Sequence, residues 1–328
     1  MGYAHWWIAR IKTKMSRGSN LVGFVCIVLG LILPFFDVPY YLSILSITYI
    51  YAIFALSWNF VSAYSGQENL GHALFIGSTA YIVGVINLNF GIPPFVTIPL
   101  GIVFGGFVGL LPGVIATRVR RAYLGLATLI LPFVLSPIVI YGLSDISGGE
   151  YGLSGIQPLS ADIIVNYYII YFSMILSAII MWKIVHSKKS LAFYLIAENE
   201  LLAKLSGINV SKYKIMAFII AGMFAGFAGG LYAHFVKVIG PSLYSFSMSF
   251  NPIIWTLLGG AATIYGPIVG TLMISPLTIV SKYYIGEFAE YLPYFLLALL
   301  VFKPRGIAIW LYSLLNKEIR IPKRRWRK

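Results

Sequence analysis

Charged residues are scarce in this sequence. Only 10% of its 328 residues are Asp, Glu, Lys or Arg, whereas 59% are hydrophobic and 16% are aromatic. Soluble domains carry about 25% charged residues, so this composition excludes an ordinary soluble fold. It predicts an all-α, polytopic membrane protein that folds as one integral helical bundle.

Several kinds of catalytic and binding group are also missing. Cys26 is the only cysteine, which rules out an intrachain disulfide. No Gly-x-x-x-x-Gly-Lys-[Ser/Thr] phosphate loop occurs, and no paired carboxylates lie within the apolar segments, where only Glu68 is a possible acid. The histidines, scattered without metal-ligand spacing, are His5, His72, His186 and His234. We therefore expect no metal, no cofactor and no enzymatic activity in this chain, and energy supplied by partner proteins.

Apolar segments of spanning length predict about ten membrane spans. They lie near residues 20–36, 40–63, 70–88, 92–117, 122–142, 163–185, 213–236, 251–263, 266–283 and 289–302. Two of them, 251–263 and 289–302, are short, and the segment at 70–88 opens with polar residues. Such features are typical of broken or re-entrant helices.

Basic residues cluster in alternate connections between these segments. By the positive-inside rule, this alternation places both termini in the cytoplasm. The predicted organisation is a basic N-terminus at 1–19, a transmembrane domain at 20–302 and a basic tail at 303–328. The net charge of +14 is then explained by topology and by attraction of the tail to anionic lipid headgroups, without nucleic acid.

One loop on the predicted outer side carries Asp145, Glu150 and Asp162 without any Lys or Arg. Its composition is the reason for placing it outside. Lys237 is the single exception to the rule on that side.

Small residues recur at every fourth position in three segments, which allows helix backbones to approach closely within lipid. The series are Gly101, Gly105, Gly109 and Gly113; Gly222, Gly226 and Gly230; and Gly266 with Gly270. They predict a tightly packed bundle, and a dedicated sliding or gating face is the alternative.

A polar stretch interrupts the apolar sequence at about 190–207. It predicts one amphipathic helix from about Leu191 to Ser206, capped by Ser190 and ended by Gly207, with an i, i+4 pair between Glu200 and Lys204. The helix is too short and too polar to span, so we expect it along the cytoplasmic surface. From spacing alone, a solvated connector helix remains open as a second interpretation.

Four blocks of sequence resemble LivM-type permeases, the membrane subunits of branched-chain amino acid ABC importers. They are IAENELLAKLSGINVSKYKIMAF from Ile196, SGQENLGHALFIGSTAY from Ser65, SGGEYGLSGI from Ser147 and YGPIVGTLM from Tyr265. The likeness spans most of the chain in the expected order. The chain departs from the family in lacking arginines in the first half of the cytoplasmic helix and in carrying Glu68.

The resemblance implies half of a heterodimeric pore in the cell membrane. The implied partners are two cytoplasmic ATPase subunits, a second permease subunit and an extracytoplasmic substrate-binding protein, in addition to the lipid bilayer. The residues that it implies for ATPase coupling are Glu198, Asn199, Glu200, Leu201, Leu202, Leu205 and Gly207. Those that it implies for the external loop are Gly148, Gly149, Gly152, Leu153 and Gly155.

Neutral hydrogen-bonding residues mark a candidate substrate pathway, because a branched-chain amino acid is a zwitterion with an apolar side chain. They are Gln67, Asn69, His72, Asn251 and Thr256. The alternative is that these side chains satisfy the backbone of an irregular helix start.

The expected function is import of branched-chain or related hydrophobic amino acids. A urea or short-chain amide permease of the same family remains open, because the binding protein sets much of the substrate choice. A secondary carrier driven by an ion gradient could share the number of spans.

Overall fold

A computed structural model describes residues 30, 31, 34, 38–119 and 121–300, and of residues 299 and 300 it describes the backbone only. The basic segments 1–19 and 303–328, Cys26, and most of the predicted span at 20–36 lie outside this described part. The predictions for those segments therefore stay predictions.

Helices dominate the described chain. They are α1 (Pro39–Trp58), α2 (Ala73–Phe90), α3 (Pro94–Arg118), α4 (Ala122–Pro137), α5 (Ser144–Ser147), α6 (Ile163–Val185), α7 (Ser190–Glu198), α8 (Glu200–Leu205), α9 (Val210–Val236), α10 (Phe246–Gly259), α11 (Tyr265–Ile285) and α12 (Leu292–Leu300). Two π-helical turns extend α1 (Asn59–Tyr64) and α4 (Ile138–Gly142), and two 3-10 turns cover Pro241–Tyr244 and Gly286–Tyr291. Two short strands, β1 (Leu153–Ser154) and β2 (Val238–Ile239), form one antiparallel pair.

Seven helical segments of the described residues are long and apolar enough to cross a membrane. They are Pro39–Tyr64, Ala73–Phe90, Pro94–Arg118, Ala122–Gly142, Ile163–Val185, Val210–Val236 and Tyr265–Ala298. The all-α membrane bundle is confirmed, but the count of ten is not. The segment Tyr265–Ala298 includes both predicted spans 266–283 and 289–302, which form α11 and α12 on either side of the turn at Gly286–Tyr291. The 14 residues of α10 are too few for a bilayer core about 30 Å thick.

The centre of the bundle is formed by α1, α2 and α9, whereas α4 and α6 bury only a minority of their side chains. The α1 side chains of Ile50, Ile53 and Phe54 are completely buried. Because α1 is apolar on all sides, it belongs in the interior of a membrane bundle and not at an edge exposed to water.

Glycines form the contact between α3 and α9. A Cβ atom added at Gly105 would collide with the carbonyl oxygen of Gly222, and one added at Gly226 would collide with that of Gly101. The two backbones therefore lie in direct contact, as the spacing predicts for packing within lipid. The prediction of close helix packing is confirmed here. Gly259, Gly266 and Gly270 make a similar contact between α10 and α11.

Candidate functional site

The polar stretch folds as two short helices and not as the single helix expected. Asn199 is extended (φ −157°, ψ 107°) and separates α7 from α8. Its Oδ1 accepts hydrogen bonds from the backbone N–H groups of Leu201 (2.9 Å) and Leu202 (3.2 Å). An asparagine that caps a following helix interrupts the preceding one, because its side chain replaces the backbone acceptors.

Gly207 ends α8 as predicted. It adopts a left-handed φ of +77°. Its N–H bonds the carbonyl of Lys204, and the N–H of Ile208 bonds that of Ala203, each at 3.0 Å. These two hydrogen bonds together form the Schellman motif, in which glycine is common because it lacks a Cβ atom. Ser190 begins α7, but its hydroxyl donates to the carbonyl of Ser187 and does not cap the helix.

We name α7 and α8 together the docking helices. Their inner face is buried through Phe193, Ile196 and Ala203. Their outer face exposes leucines: Leu191, Leu195, Leu201, Leu202 and Leu205. Leu205 is 77% exposed and Leu201 is 65% exposed. The predicted apolar face therefore points away from the bundle, and an exposed apolar patch of this kind is a candidate interaction surface.

A buried ion pair attaches α8 to the bundle. The Nζ atom of Lys214 on α9 lies 2.5 Å from an Oε1 atom of Glu200, and the Lys214 side chain is only 3% exposed. Lys214 also donates to the carbonyl of Ala116 near the end of α3, at 3.1 Å. One ammonium group thus joins α3, α8 and α9. The spacing predicted a pair of Glu200 with Lys204 and did not predict the ion pair of Glu200 with Lys214, although a lysine just inside an apolar segment was a signal.

The inner face of α7 rests on the end of α1. The rings of Phe60 and Phe193 lie 5.3 Å apart, and those of Tyr64 and Tyr194 lie 5.9 Å apart. A Cβ atom added at Gly66 would lie 2.6 Å from the Cα atom of Ala197, so the chain after α1 touches α7 directly.

That chain, Ser65–His72, is irregular, and we name it the polar loop. Gln67, Asn69 and His72 are buried, whereas Gly66 and Glu68 are exposed. Glu68, the one acid that the sequence left as a possible span residue, therefore lies at the surface.

A continuous series of hydrogen bonds holds the polar loop. Asn69 Nδ2 lies 2.8 Å from His72 Nδ1, and His72 Nε2 lies 2.7 Å from Ser57 Oγ, which donates to the carbonyl of Phe54. Asn69 Oδ1 accepts from the N–H of Gly71. Asn69 therefore donates to His72, which donates to Ser57 as a neutral imidazole. Burial lowers the pKa of His72 to about 3, which keeps the ring uncharged.

Gln67 makes a local contact, since its Nε2 donates to the carbonyl of Ser65 at 3.1 Å. The loop thus brings Asn69 and His72 into direct contact and places Gln67 beside them. These bonds are those expected of side chains that satisfy an irregular helix start, so the structural alternative has direct support.

The other two predicted pathway residues lie on α10. The N–H of Ala73, at the start of α2, donates to Ser249 Oγ at 3.3 Å, which places α10 beside the polar loop. Thr256 donates to the carbonyl of Ala55 at 3.4 Å. Asn251 Oδ1 is buried and has no hydrogen-bond partner among the described residues.

Trp255 is a further polar residue of α10 that the sequence pattern did not predict as part of the site. It is 3% exposed, and its Nε1–H has no acceptor within the described chain. Its ring stacks on Tyr51 at 5.2 Å, and Tyr51 stacks on Tyr232 at 6.3 Å. Asn251 and Trp255 are four residues apart on one helix face and carry one open acceptor and one open donor. A tryptophan near the polar Asn251 was the only sequence signal.

The loop predicted to be external is attached to the end of α9 opposite α8. Leu153 pairs with Ile239 in the β ladder, and Gly152 contacts the same strand closely. Four glycines of this loop have left-handed φ angles: Gly148, Gly149, Gly152 and Gly155. Because α8 precedes α9 and β2 follows it, this loop and the docking helices lie at opposite ends of one spanning helix.

Gln157 fixes the same loop to the bundle. Its N–H bonds Asn87 Oδ1 at 2.9 Å, and its carbonyl lies 2.7 Å from Nδ1 of His234. The other nitrogen of His234 bonds Thr97 at 2.6 Å. His234 is therefore a structural residue, and within the residues described no three His, Cys, Asp or Glu side chains come together as metal ligands.

The sequence model of one family, described as the permease component of the branched-chain amino acid transport system, matches residues 40–303. The chain belongs to this family. That match covers all seven spanning segments, both docking helices and the polar loop. The resemblance to LivM-type permeases is confirmed, and so is the placement as a multi-pass protein of the cell membrane.

Curated relatives are similar over most of the chain. The high-affinity branched-chain amino acid permease LivM of Escherichia coli is 24% identical over 314 residues, covering 86% of this chain and 73% of the relative. A probable LivM of Methanocaldococcus jannaschii is 25% identical, with 79% and 90% covered. The ribose import permease RbsC of Haemophilus influenzae is 26% identical, with 81% and 84% covered. No solved structure gives a significant match.

Proposed function

We propose that this permease forms half of the translocation pathway of an ATP-driven importer for branched-chain or related hydrophobic amino acids. The docking helices bind the cytoplasmic ATPase subunits, a second permease subunit completes the pore, and an external binding protein delivers substrate to the loop at the far end of α9. The relatives named for branched-chain amino acid transport support the substrate class, and the similarity to a ribose import permease keeps other solutes as the competing outcome.

One observation carries the coupling role: the docking helices expose leucines outward while their inner face contacts the polar loop. Leu201 and Leu205 face away from the bundle, and Ala197 touches Gly66. A partner that moves α7 must therefore move the backbone beside Gln67 and Asn69. This is a direct mechanical link between an ATPase and the end of the pathway.

The pathway itself is proposed to pass the polar loop and the Asn251 face of α10. Asn251 Oδ1 can accept from the substrate ammonium group, and Trp255 Nε1–H can donate to its carboxylate. The stacked rings of Tyr51, Tyr232 and Trp255 supply the apolar surface for the side chain. In this arrangement Gln67, Asn69 and His72 shape the end of the path, and Thr256 anchors α10 to α1.

The coupling proposal is tested by changing Leu201 and Leu205 together to Asp. Both side chains are mostly exposed, so the fold should persist, while ATPase co-purification and ATP-dependent uptake should be lost. Lys204→Ala, on the same helix, is the matched control and should retain both. Normal co-purification and uptake in the double variant would overturn the coupling role. Uptake driven by an ion gradient without ATP would favour a secondary carrier.

The pathway proposal is tested by Asn251→Leu and Trp255→Phe, each measured for leucine uptake and for assembly with the other subunits. We expect the KM for leucine to rise about tenfold or more for each lost charge-assisted hydrogen bond, with assembly unchanged. Thr278→Val on α11 removes a hydroxyl that bonds only its own helix and serves as the control. Unchanged leucine uptake in both variants would remove this face of α10 from the pathway.

A further inference from the structure

A groove of about 390 Å³ lies between α6, α7 and α9, away from the polar loop. Its apolar lining comes from Ile184, Phe193, Met216 and Ile220, and its charged lining comes from Lys183 and Lys189. We name it the lysine groove. Its volume falls in the range of small-molecule sites, about 300–1,000 Å³.

The two lysines have no ion-pair partner within the residues that the structure describes. Both are exposed, and no acidic residue lines the groove. Lys188 and His186 lie in the same turn between α6 and α7. The groove therefore combines an apolar lining with uncompensated positive charge.

Residues at the end of α6 indicate the depth of the lysine groove in the membrane. Trp182 is 46% exposed beside Lys183, and its ring lies 4.7 Å from that of His186. Exposed tryptophans concentrate at the headgroup level of a bilayer, and lysines at a helix end extend to the same level. The lysine groove thus opens where lipid phosphates lie.

We propose that the lysine groove binds one anionic phospholipid, with the phosphate held by Lys183 and Lys189 and an acyl chain lying along Ile184, Met216 and Ile220. A basic pocket between spanning helices is a recognised form of anionic-lipid site. A zwitterionic lipid offers the same chains but adds a positive group near the lysines. A soluble anion such as ATP or an acidic peptide would not use the apolar lining.

The site touches the docking helices through Phe193, which also packs on Phe60 and lies 5.4 Å from the Tyr213 ring. Bound lipid would therefore fill the space behind α7 and hold it against α1. This inference does not require the proposed substrate, because it rests only on the groove and on the membrane location.

The test measures binding of phosphatidylglycerol and of phosphatidylcholine, in mixed micelles at fixed salt, to the full chain purified with its co-purifying subunits. We expect the wild type to bind phosphatidylglycerol about tenfold or more tightly than phosphatidylcholine, since each basic residue near a headgroup attracts it appreciably. Lys183→Gln with Lys189→Gln should bring this ratio close to one. The control, Lys204→Gln with Lys212→Gln, removes the same charge at the same end of the bundle outside the groove and should keep the ratio.

Four results would contradict the proposal. One is an unchanged ratio in the Lys183 and Lys189 variant. Another is an equal loss in the control, which would indicate general attraction to the basic surface. The third is low accessibility of a nitroxide spin label at position 180 to lipid-soluble oxygen in the assembled complex. That result would mean that a neighbouring subunit covers the groove. Ile180 is exposed and also lines the groove, so Ile180→Trp should weaken binding of both lipids by narrowing it. Unchanged binding would contradict the acyl-chain placement.

Discussion

His72 is the residue that most constrains the polar loop. Its pKa is lowered to about 3 by burial, whereas an unfolded chain has a histidine pKa near 6.5. Between these values the unfolded state binds more protons, so the stability contributed by neutral His72 is complete above about pH 6.5 and decreases as the pH falls toward 3. We expect the thermal midpoint in detergent to fall between pH 7 and pH 4. His72→Gln should flatten the pH dependence of the thermal midpoint, whereas the exposed control His186→Gln should keep it. The same slope in both variants would show that His72 is not the cause of the pH dependence.

A second prediction at the level of single residues concerns Lys214. Lys214→Met leaves Glu200 without its buried partner and Ala116 without its donor. We expect a loss of roughly 2 kcal/mol, less than for a fully buried pair because Glu200 keeps about a quarter of its exposure. The thermal midpoint and protease cleavage within α8 would report it. Lys212→Met, an exposed neighbour, should change neither quantity, and equal cleavage in both variants would refute the anchoring role.

The sequence predicted individual residues unevenly. The prediction that Gly207 ends the helix was correct, because termination in the left-handed conformation depends on a local property of glycine. Lys214 was missed because its partners, Glu200 and Ala116, are distant in sequence and only the tertiary fold brings them together. The sequence also could not show that Asn251 Oδ1 and Trp255 Nε1 lack hydrogen-bond partners among the described residues, because this depends on the tertiary surroundings of each group.

At the level of the helices, the glycine contact between α3 and α9 allows a direct test of whether close backbone packing stabilises the bundle. Gly105→Ala places a methyl group against the Gly222 backbone, which cannot move without separating the helices. We expect a loss of about 1–3 kcal/mol and a lower thermal midpoint. Gly106→Ala meets the flexible Met223 side chain at 3.2 Å and should be nearly neutral. Equal effects of the two substitutions would show that the backbone contact is unimportant.

The docking helices show where element prediction succeeds and fails. Hydrophobic periodicity located the segment, its polar character and its end. It did not reveal the division at Asn199, because a single asparagine is tolerated within many helices and its capping role depends on the backbone angle that it adopts. The short α10 was anticipated from its length.

At the scale of the whole molecule, the orientation is open to a direct measurement. A cysteine at Glu150, in a background without Cys26, should react with an impermeant maleimide in intact cells, because the external loop lies at the opposite end of α9 from the basic docking region. A cysteine at Lys188 should react only after lysis. The reverse pattern would invert the topology, and labelling of both in intact cells would show that the membrane was not intact.

The fold class and membrane location could be predicted from composition because a bilayer allows few architectures for an apolar chain. The number of spans could not, since short apolar helices are ambiguous between crossing the bilayer and packing within it. The polar loop was located correctly as an irregular start of α2. Its hydrogen-bond chain through Ser57 and His72 required the structure.

The exposed leucines of the docking helices also have a consequence for how a cell makes this protein. A copy inserted without its partners would present Leu201, Leu202 and Leu205 to water, where such patches recruit chaperones and proteases or aggregate. Under the proposed coupling role, we therefore expect synthesis of the chain to be matched in amount and in time to that of the ATPase subunits, and surplus copies to be degraded.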